Sequence, residues 1–369
     1  MKINFITVSN HLTGGNRVIM ELVNGLARKG HELNIVTLGN KDDLNWINIE
    51  ANIIEVKRNF FQKIVGYGYR KAFGFQSWPE EQTRMLIKNM PEADVSIATM
   101  SYTGFSVARQ NKSLPFQLHM HYEPYVRGEG YTHKVMKECY HLPVNIIANS
   151  TWVKNTIKKE NNKECVGVVC PAIDHNVFYK RKEFKPINKN NVKIVSLSKH
   201  KIWKGIPEAL KTIKILRDRG YNIEFKTFGG DFPSDKLSNE LKDVIYSYEG
   251  RKENDELAKF YSEADILISS SYYESFPLPQ LEAMACGTPV VTTKYGTEDY
   301  AYNNENCYVV EPKNPEMMAM AIEKLINSPE IYKKFSERGV ETAKKFTWDK
   351  SVDLLESILL KSLKNEKID

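Results

Sequence analysis

The stretch SSSYYESFPLPQLEAMACGTPVVTT, residues 269–293, decides how the chain folds. The apolar run ADILIS, 264–269, leads into it at strand length. After a loop, Pro277 and Pro279 fall in or just before the first turn of a helix, where a missing N–H is tolerated. Leu281, Ala283, Met284 and Ala285 carry that helix, and Gly287 stands where a left-handed cap would end it. TPVVTT, 288–293, reads as the next buried strand. Strand, loop, helix start and strand form the unit with which open α/β sheets hold an anion, because unpaired amides and the helix dipole face the loop.

Glu274 in the loop and Glu282 in the helix are eight positions apart, and two carboxylates would repel a bare phosphate. They suit a ligand that also carries hydroxyls, which a carboxylate can accept in pairs. A nucleotide sugar has both parts. The run ESFPLPQLEAMACGTPVV, 274–291, resembles the glutamate, seven residues, glutamate signature of retaining glycosyltransferases of GT-B architecture, particularly glycosyltransferase family 4. The resemblance implies that Glu274 contacts the donor sugar hydroxyls and Glu282 the ribose. It also implies that Ser275, Phe276, Pro277 and Leu278 line the donor, with the backbone of Phe276 and Leu278 against sugar and phosphate. Many relatives carry glycine where this chain has Pro277, which removes one amide donor. The implied fold is α/β: two Rossmann-like doubly wound domains facing across a cleft, with a C-terminal helix that crosses back to the first.

A chain of 369 residues exceeds what one hydrophobic core usually serves, so two domains are expected. Apolar residues at 41% and charged residues at 27% are those of a globular chain. The net charge of +6 suits phosphate-bearing ligands or an anionic surface. Five cysteines form no CxxC pair, which favours reduced thiols and the cytoplasm. The N-terminus, MKINFITV, is too short and too alternating for a secretory core and reads as a strand. No apolar run is long enough for a membrane span.

A first β-loop-α-β unit follows, with Gly14 and Gly15 in its loop, a helical face from 17 to 28 and a second strand at 32–38. On residues alone the diglycine is either a bare turn or a close approach to a ligand. The resemblance implies that this loop faces the donor phosphate and the acceptor, which assigns Gly15 to the donor and Arg17 to the acceptor. Further strands are expected at 94–99 and 115–120, the latter ending in HMHYEP. His119, His121 and Glu123 lack a further metal ligand at usable spacing, and the chain has no Asp-x-Asp pair, so no metal is expected. In similar enzymes a histidine or acid at this strand end reaches the transferred sugar, which makes His121 the catalytic candidate and His119 a neighbour at the acceptor. Residues 57–78 interleave Lys57, Arg58, Lys63, Arg70 and Lys71 with Phe60, Phe61, Tyr67, Tyr69, Phe73 and Phe75. Such a segment either lies at a membrane interface or packs half its rings into the domain. The resemblance adds that a lipid-linked or polymeric acceptor binds in this part of the chain.

Domain boundaries are expected at 1–175 for the N-terminal domain, 176–191 for a charged linker, 192–346 for the nucleotide-sugar domain and 347–369 for the returning helix. A second β-loop-α unit opens at 192, and its loop carries Lys199, Lys201 and Lys204. Crowded like charges cost Coulomb energy that a diphosphate would relieve, although a solvated basic loop is the plainer alternative. The resemblance places donor phosphates on Lys199 and Lys204, with lysine at 199 where relatives have arginine. Together with Glu274 and His121, Lys204 is expected in the catalytic set.

The expected activity is retaining transfer of a sugar from a nucleotide-diphosphate donor to a glycan or lipid-linked acceptor in cell-envelope synthesis. No cofactor beyond that donor and no nucleic acid partner are expected. Peripheral contact with an anionic membrane, at the inner face, follows from one reading of 57–78. The rivals are a nucleotide-sugar epimerase on the same architecture and a non-catalytic sugar-nucleotide-binding partner subunit.

Overall fold

The computed structural model describes residues 1–57, 60–73, 80–126, 130–183, 185–199, 201–230, 237–244 and 246–366. The chain divides into two compact units, Met1–Pro171 with Trp348–Asp369, and Ala172–Thr347.

The first unit holds seven parallel strands: β1 (Lys2–Thr7), β2 (Glu32–Thr37), β3 (Asn52–Glu55), β4 (Val95–Ala98), β5 (Leu114–His119), β6 (Asn145–Ala148) and β7 (Gly167–Val168). Their order is β3-β2-β1-β4-β5-β6-β7. A sheet covered on both faces needs unbroken apolar strands, and five consecutive buried residues in β1 and in β2 meet that need. The buried asparagines are the exception, and they pair sideways. Asn34 Nδ2 donates to Asn4 Oδ1 at 3.0 Å, Asn52 Nδ2 to Asn34 Oδ1 at 3.1 Å, and Asn4 Nδ2 to Ser96 Oγ at 3.0 Å. Each of these pairs is also a register pair of the sheet, so the ladder fixes the alignment of four strands.

The C-terminal helix Trp348–Glu366 belongs to this first unit. It lies on the helix Gly14–Arg28, where Gly25 leaves room for Val352: a Cβ at Gly25 would stand 2.2 Å from Val352 Cγ2. Gly167 makes the same allowance for Ile358. Glu356 fastens the contact, accepting from Lys29 and meeting His31 Nε2 at 2.7 Å. The hydrogen bond from Lys29 chiefly holds its carboxyl below the usual range.

The second unit repeats the plan with β8 (Val192–Ser198), β9 (Ile223–Gly229), β10 (Ser247–Tyr248), β11 (Ile266–Ile268), β12 (Val290–Thr293) and β13 (Tyr308–Val310). They run parallel in the order β10-β9-β8-β11-β12-β13. In each sheet the strand order reverses once, between β1 and β4 in one and between β8 and β11 in the other. Open α/β sheets bind ligands at that reversal, beyond the carboxyl ends of the strands. Residues 172–191, which include the whole expected linker and the last four residues expected in the first domain, group with the second unit. Phe178 is buried there against Tyr261, with ring centres 6.3 Å apart, and Arg181 reaches Asp255 at 2.6 Å. No helix among the described residues is long and apolar enough to cross a membrane.

Candidate active site

The loops that leave β8 and β11 stand side by side at the reversal of the second sheet. The β8 loop carries Lys199 and Lys204, and the β11 loop carries Ser271 and Glu274. Lys204 Nζ meets Glu274 Oε1 at 2.5 Å, and Ser271 Oγ donates to the same oxygen at 2.6 Å. Both members of the ion pair are largely buried, at 14% and 12% side-chain exposure. A buried ion pair is on average no more stabilising than apolar residues of the same volume, so stability does not account for it.

Two glycines allow this approach. Gly205, at φ +66°, closes the lysine loop, and a Cβ there would lie 2.0 Å from the Ser270 carbonyl oxygen. Ser270 Oγ donates to the Gly205 carbonyl at 2.6 Å and ties the two loops together. Gly296, at φ +86°, passes under Glu274, where a Cβ would stand 2.2 Å from the Glu274 carbonyl oxygen. The Glu274 N–H donates to the Tyr295 carbonyl at 3.1 Å. Both positions therefore demand glycine by backbone angle and by space. Glu298, from the same loop as Gly296, turns back to accept the Gly296 N–H at 2.7 Å, a local cap.

The helix after Glu274 is Leu278–Ala285, with Pro277 at its N-cap, Pro279 in its first turn and no side chain capping it. Its first amides have no acceptor within the helix and face the loop. At the other end Gly287, at φ +82°, donates to Met284 O at 2.9 Å, and Thr288 N donates to Ala283 O at 3.0 Å. That pair of bonds is the Schellman cap. Phe276 is a buried anchor: its ring packs edge-on against Tyr300 at 5.2 Å and against Phe346 at 5.5 Å. Tyr300 Oη donates to the Pro277 carbonyl at 2.8 Å. The side chains of this run hold the backbone still, and Ser275 and Leu278 stay partly exposed beside it.

Glu282 is buried one turn along, and Tyr261 Oη donates to its Oε2 at 3.1 Å. Burial, then the Glu282 charge, push the Tyr261 phenol well up, so it remains a donor. Lys199 is exposed as a residue. Even so, the walls around its ammonium, followed by the Lys204 cation, hold it below the ordinary lysine range, with Arg251 adding to the lowering and Glu274 opposing it. Because the residue is open to solvent, the shift carries no folding energy.

The remaining candidates belong to the first unit. Gly15 and Arg17, expected in and just after a loop, lie in the first turn of the helix Gly14–Arg28. The helix starts early because Thr13, extended at φ −138°, caps it by accepting the Asn16 N–H at 3.1 Å. Nothing lies within 4 Å of a Cβ built at Gly14 or Gly15, and Arg17 reaches Glu21 at 4.0 Å. His119 ends β5, buried and stacked on Tyr140 at 4.5 Å, and burial pushes its ring down to about 3. That is a neutral core histidine. His121 follows in the bend, partly exposed, edge-on to Trp152 at 6.3 Å, which is the more open position of the two.

Reading the sequence missed Ser271, Tyr261, Arg251 and the two glycines at 205 and 296. A serine next to a strand end and a tyrosine at an apolar helix position look ordinary without the fold. The two glycines had a signal, since each follows a basic or aromatic loop next to a strand end.

Two family models match the chain: glycosyltransferase family 4 over residues 12–177 and glycosyl transferases group 1 over 178–342. An uncharacterized glycosyltransferase from Haemophilus influenzae is 23% identical across 97% of this chain and 99% of its own length. Among solved structures, Anabaena HepE in complex with UDP and glucose aligns with a TM-score of 0.73 at 15% identity, covering 98% of this chain and all of its own. WaaG, a glycosyltransferase involved in lipopolysaccharide biosynthesis, aligns with a TM-score of 0.69 at 15% identity, covering 97% and 99%. With the two models adjoining at 177 and 178 and the GT-B fold shared by these neighbours, the chain belongs to the glycosyltransferases of family 4 and group 1.

Proposed function

We propose that this glycosyltransferase moves a hexosyl or related sugar from a nucleotide-diphosphate donor to an acceptor hydroxyl with retention of configuration. The contact between Lys204 and Glu274 carries the reading. It sets a cation for phosphate beside a carboxylate for sugar hydroxyls, which are the two groups joined at the anomeric carbon of such a donor. Lys199, Lys204 and the first amides of Leu278–Ala285 would meet the charge that grows on the leaving diphosphate. Glu274 would grip the sugar and Glu282 the ribose. HepE, which holds UDP and glucose, supports a nucleotide-sugar donor.

In the transfer step the bond from the anomeric carbon to the diphosphate oxygen breaks and the acceptor oxygen bonds to the same face. The departing phosphate takes the acceptor proton, and no side chain need act as nucleophile. His121, with Gly15 and Arg17, belongs to the half assigned to the acceptor and the transferred sugar. The likeness to WaaG supports an acceptor in cell-envelope glycan or lipid synthesis.

The test is release of free nucleotide from a panel of labelled donors, with product configuration read by NMR. One donor should be turned over in an acceptor-dependent way, and Glu274→Gln and Lys204→Ala should each abolish release. Turnover near that of the parent protein in either variant would remove the assignment. Product formed without any acceptor would replace it with epimerisation, and nucleotide binding without turnover would make the chain a binding subunit.

A further inference from the structure

Exposed rings stand on both units. On the first, Phe60, Phe61 and Tyr67 of the helix Phe60–Phe73 are exposed, so the described rings of the segment 57–78 do not pack into the domain. Arg58 and Phe75, named above with that segment, lie outside the described residues, as do the side chains of Tyr69, Arg70 and Phe73. On the second unit, two rings flank the ion pair. Trp203 immediately precedes Lys204 and Tyr273 immediately precedes Glu274, so each partner of the pair carries an aromatic neighbour. The rings lie within 10° of parallel, with centres 6.2 Å apart. At that spacing neither ring covers the face of the other, and both residues are partly exposed. Ile202 beside them is 63% exposed. Backbone bonds hold this ledge in place. The Lys204 N–H donates to the Lys201 carbonyl at 2.9 Å and the Gly205 N–H to the Ile202 carbonyl at 3.0 Å, which winds Ile202–Lys204 into a tight turn. The Tyr272 N–H donates to the Trp203 carbonyl at 2.7 Å and fixes that turn to the β11 loop. Lys201 holds its ammonium 5.4 Å over the indole from an exposed position, a loose contact that an incoming ring displaces.

The winding of the sheet says which end of the donor the ledge serves. β8 is followed by β9 on one side and β11 by β12 on the other, so right-handed crossovers put the helix Ile206–Asp218 on one face of the sheet and Leu278–Ala285 on the opposite face. Glu282, proposed for the ribose, belongs to the second of these helices. Trp203 lies in the turn that opens the first, and the phenol of Tyr272, next to the ledge, is hydrogen-bonded to Glu208 of that helix. A nucleotide running from Lys204 to Glu282 therefore leads away from the two rings and leaves them uncovered. We infer that Trp203 and Tyr273 bind a pyranose ring of the acceptor, which makes the acceptor a saccharide. The C–H face of a pyranose is apolar while its hydroxyls project from the edge, so a flat aromatic ring takes that face by dispersion and leaves the hydroxyls to water or polar neighbours. An open-chain polyol or a plain lipid alcohol has no such face. The inference rests on the transfer reading and names the class of acceptor within it.

The experiment is saturation-transfer NMR of the full chain, loaded with whichever of UDP, GDP and ADP it binds, against the methyl glycosides of glucose, galactose, mannose and N-acetylglucosamine. Ribitol and octanol are the comparison ligands. At least one glycoside should bind, with saturation strongest on the C–H protons of one ring face. Trp203→Ala and Tyr273→Ala should each weaken that glycoside about tenfold, whereas Trp203→Phe and Tyr273→Phe, which keep a flat ring, should retain most of the affinity. All four variants should keep the parent affinity for nucleoside diphosphate. Tyr273→Ala leaves the 202–204 turn unaltered, so it decides the matter if Trp203→Ala misfolds. The inference is overturned if no glycoside binds, if ribitol or octanol binds as well as the best glycoside, or if the alanine variants bind that glycoside as the parent does. It is also overturned if either alanine variant loses nucleoside diphosphate, since the rings would then stack on the base. Failure of the transfer reading shows separately, as nucleotide release that Lys204→Ala or Glu274→Gln leaves intact. If none of the three nucleotides binds, that reading falls and this inference with it.

Discussion

Lys204 and Glu274 pair with each other, so on the proposed reading a donor would exchange that contact for its own phosphate and hydroxyls. Lys199 faces solvent, held below its ordinary range first by its surroundings and then by Lys204. A lysine so depressed is charged below its lowered pKa and neutral above it, and a bound diphosphate favours the charged form. Donor affinity should therefore fall earlier on the alkaline side than an ordinary lysine would allow. Lys199→Arg, which stays protonated, should hold its affinity over the same range. Nucleoside diphosphate titrated calorimetrically from neutral to alkaline pH checks this, and parallel curves for the two proteins would refute it. Tyr261 acts one step removed, through Glu282. Tyr261→Phe removes a hydrogen bond worth about 1 kcal/mol, so the donor KM should rise about fivefold with kcat nearly unchanged. Equal losses in kcat and kcat/KM would instead show that Glu282 works in the transition state.

The stretch 264–293 announced its own structure because each of its signals is local. Prolines at 277 and 279, glycine at 287 and two apolar runs require no knowledge of the rest of the chain, and β11, Leu278–Ala285 and β12 lie where they point. Gly15 was harder, because Thr13 decides where its helix begins and the diglycine masked that cap. Residues 176–191 looked like a linker by composition, yet Phe178 and Arg181 find partners on the second unit that no local pattern reveals. The seating of the last helix is equally non-local, since Gly25 and Val352 are far apart in sequence. Gly25→Ala gains up to about 1 kcal/mol of helix propensity but drives a methyl into a β-branched side chain with one preferred rotamer. Overpacking of that kind costs about 1–3 kcal/mol, so the variant should unfold at lower temperature. In a Val352→Ala background the same change should cost markedly less. An unchanged melting temperature for Gly25→Ala alone would mean that the helix is not seated on this residue.

Across the whole chain, two parallel sheets of the same winding divide the candidate residues by unit, with Gly15, Arg17, His119 and His121 in the first and Lys199 through Glu282 in the second. The two-domain plan was readable because the β-loop-α pattern restarts at 192 after a charged, aperiodic stretch. The difference in burial between His119 and His121 was not, because the two differ only in whether the strand has ended before them. Burial of the first and exposure of the second separate them. The account stands on the second sheet's reversal point as the seat of the donor. A crystal structure of the chain with the nucleoside diphosphate that its donor releases tests this most directly. The account predicts the diphosphate within hydrogen-bonding distance of Lys199 and Lys204 at the start of Leu278–Ala285, with the ribose hydroxyls on Glu282. A nucleotide bound elsewhere on the chain, with the Lys204 and Glu274 pair undisturbed, would contradict it.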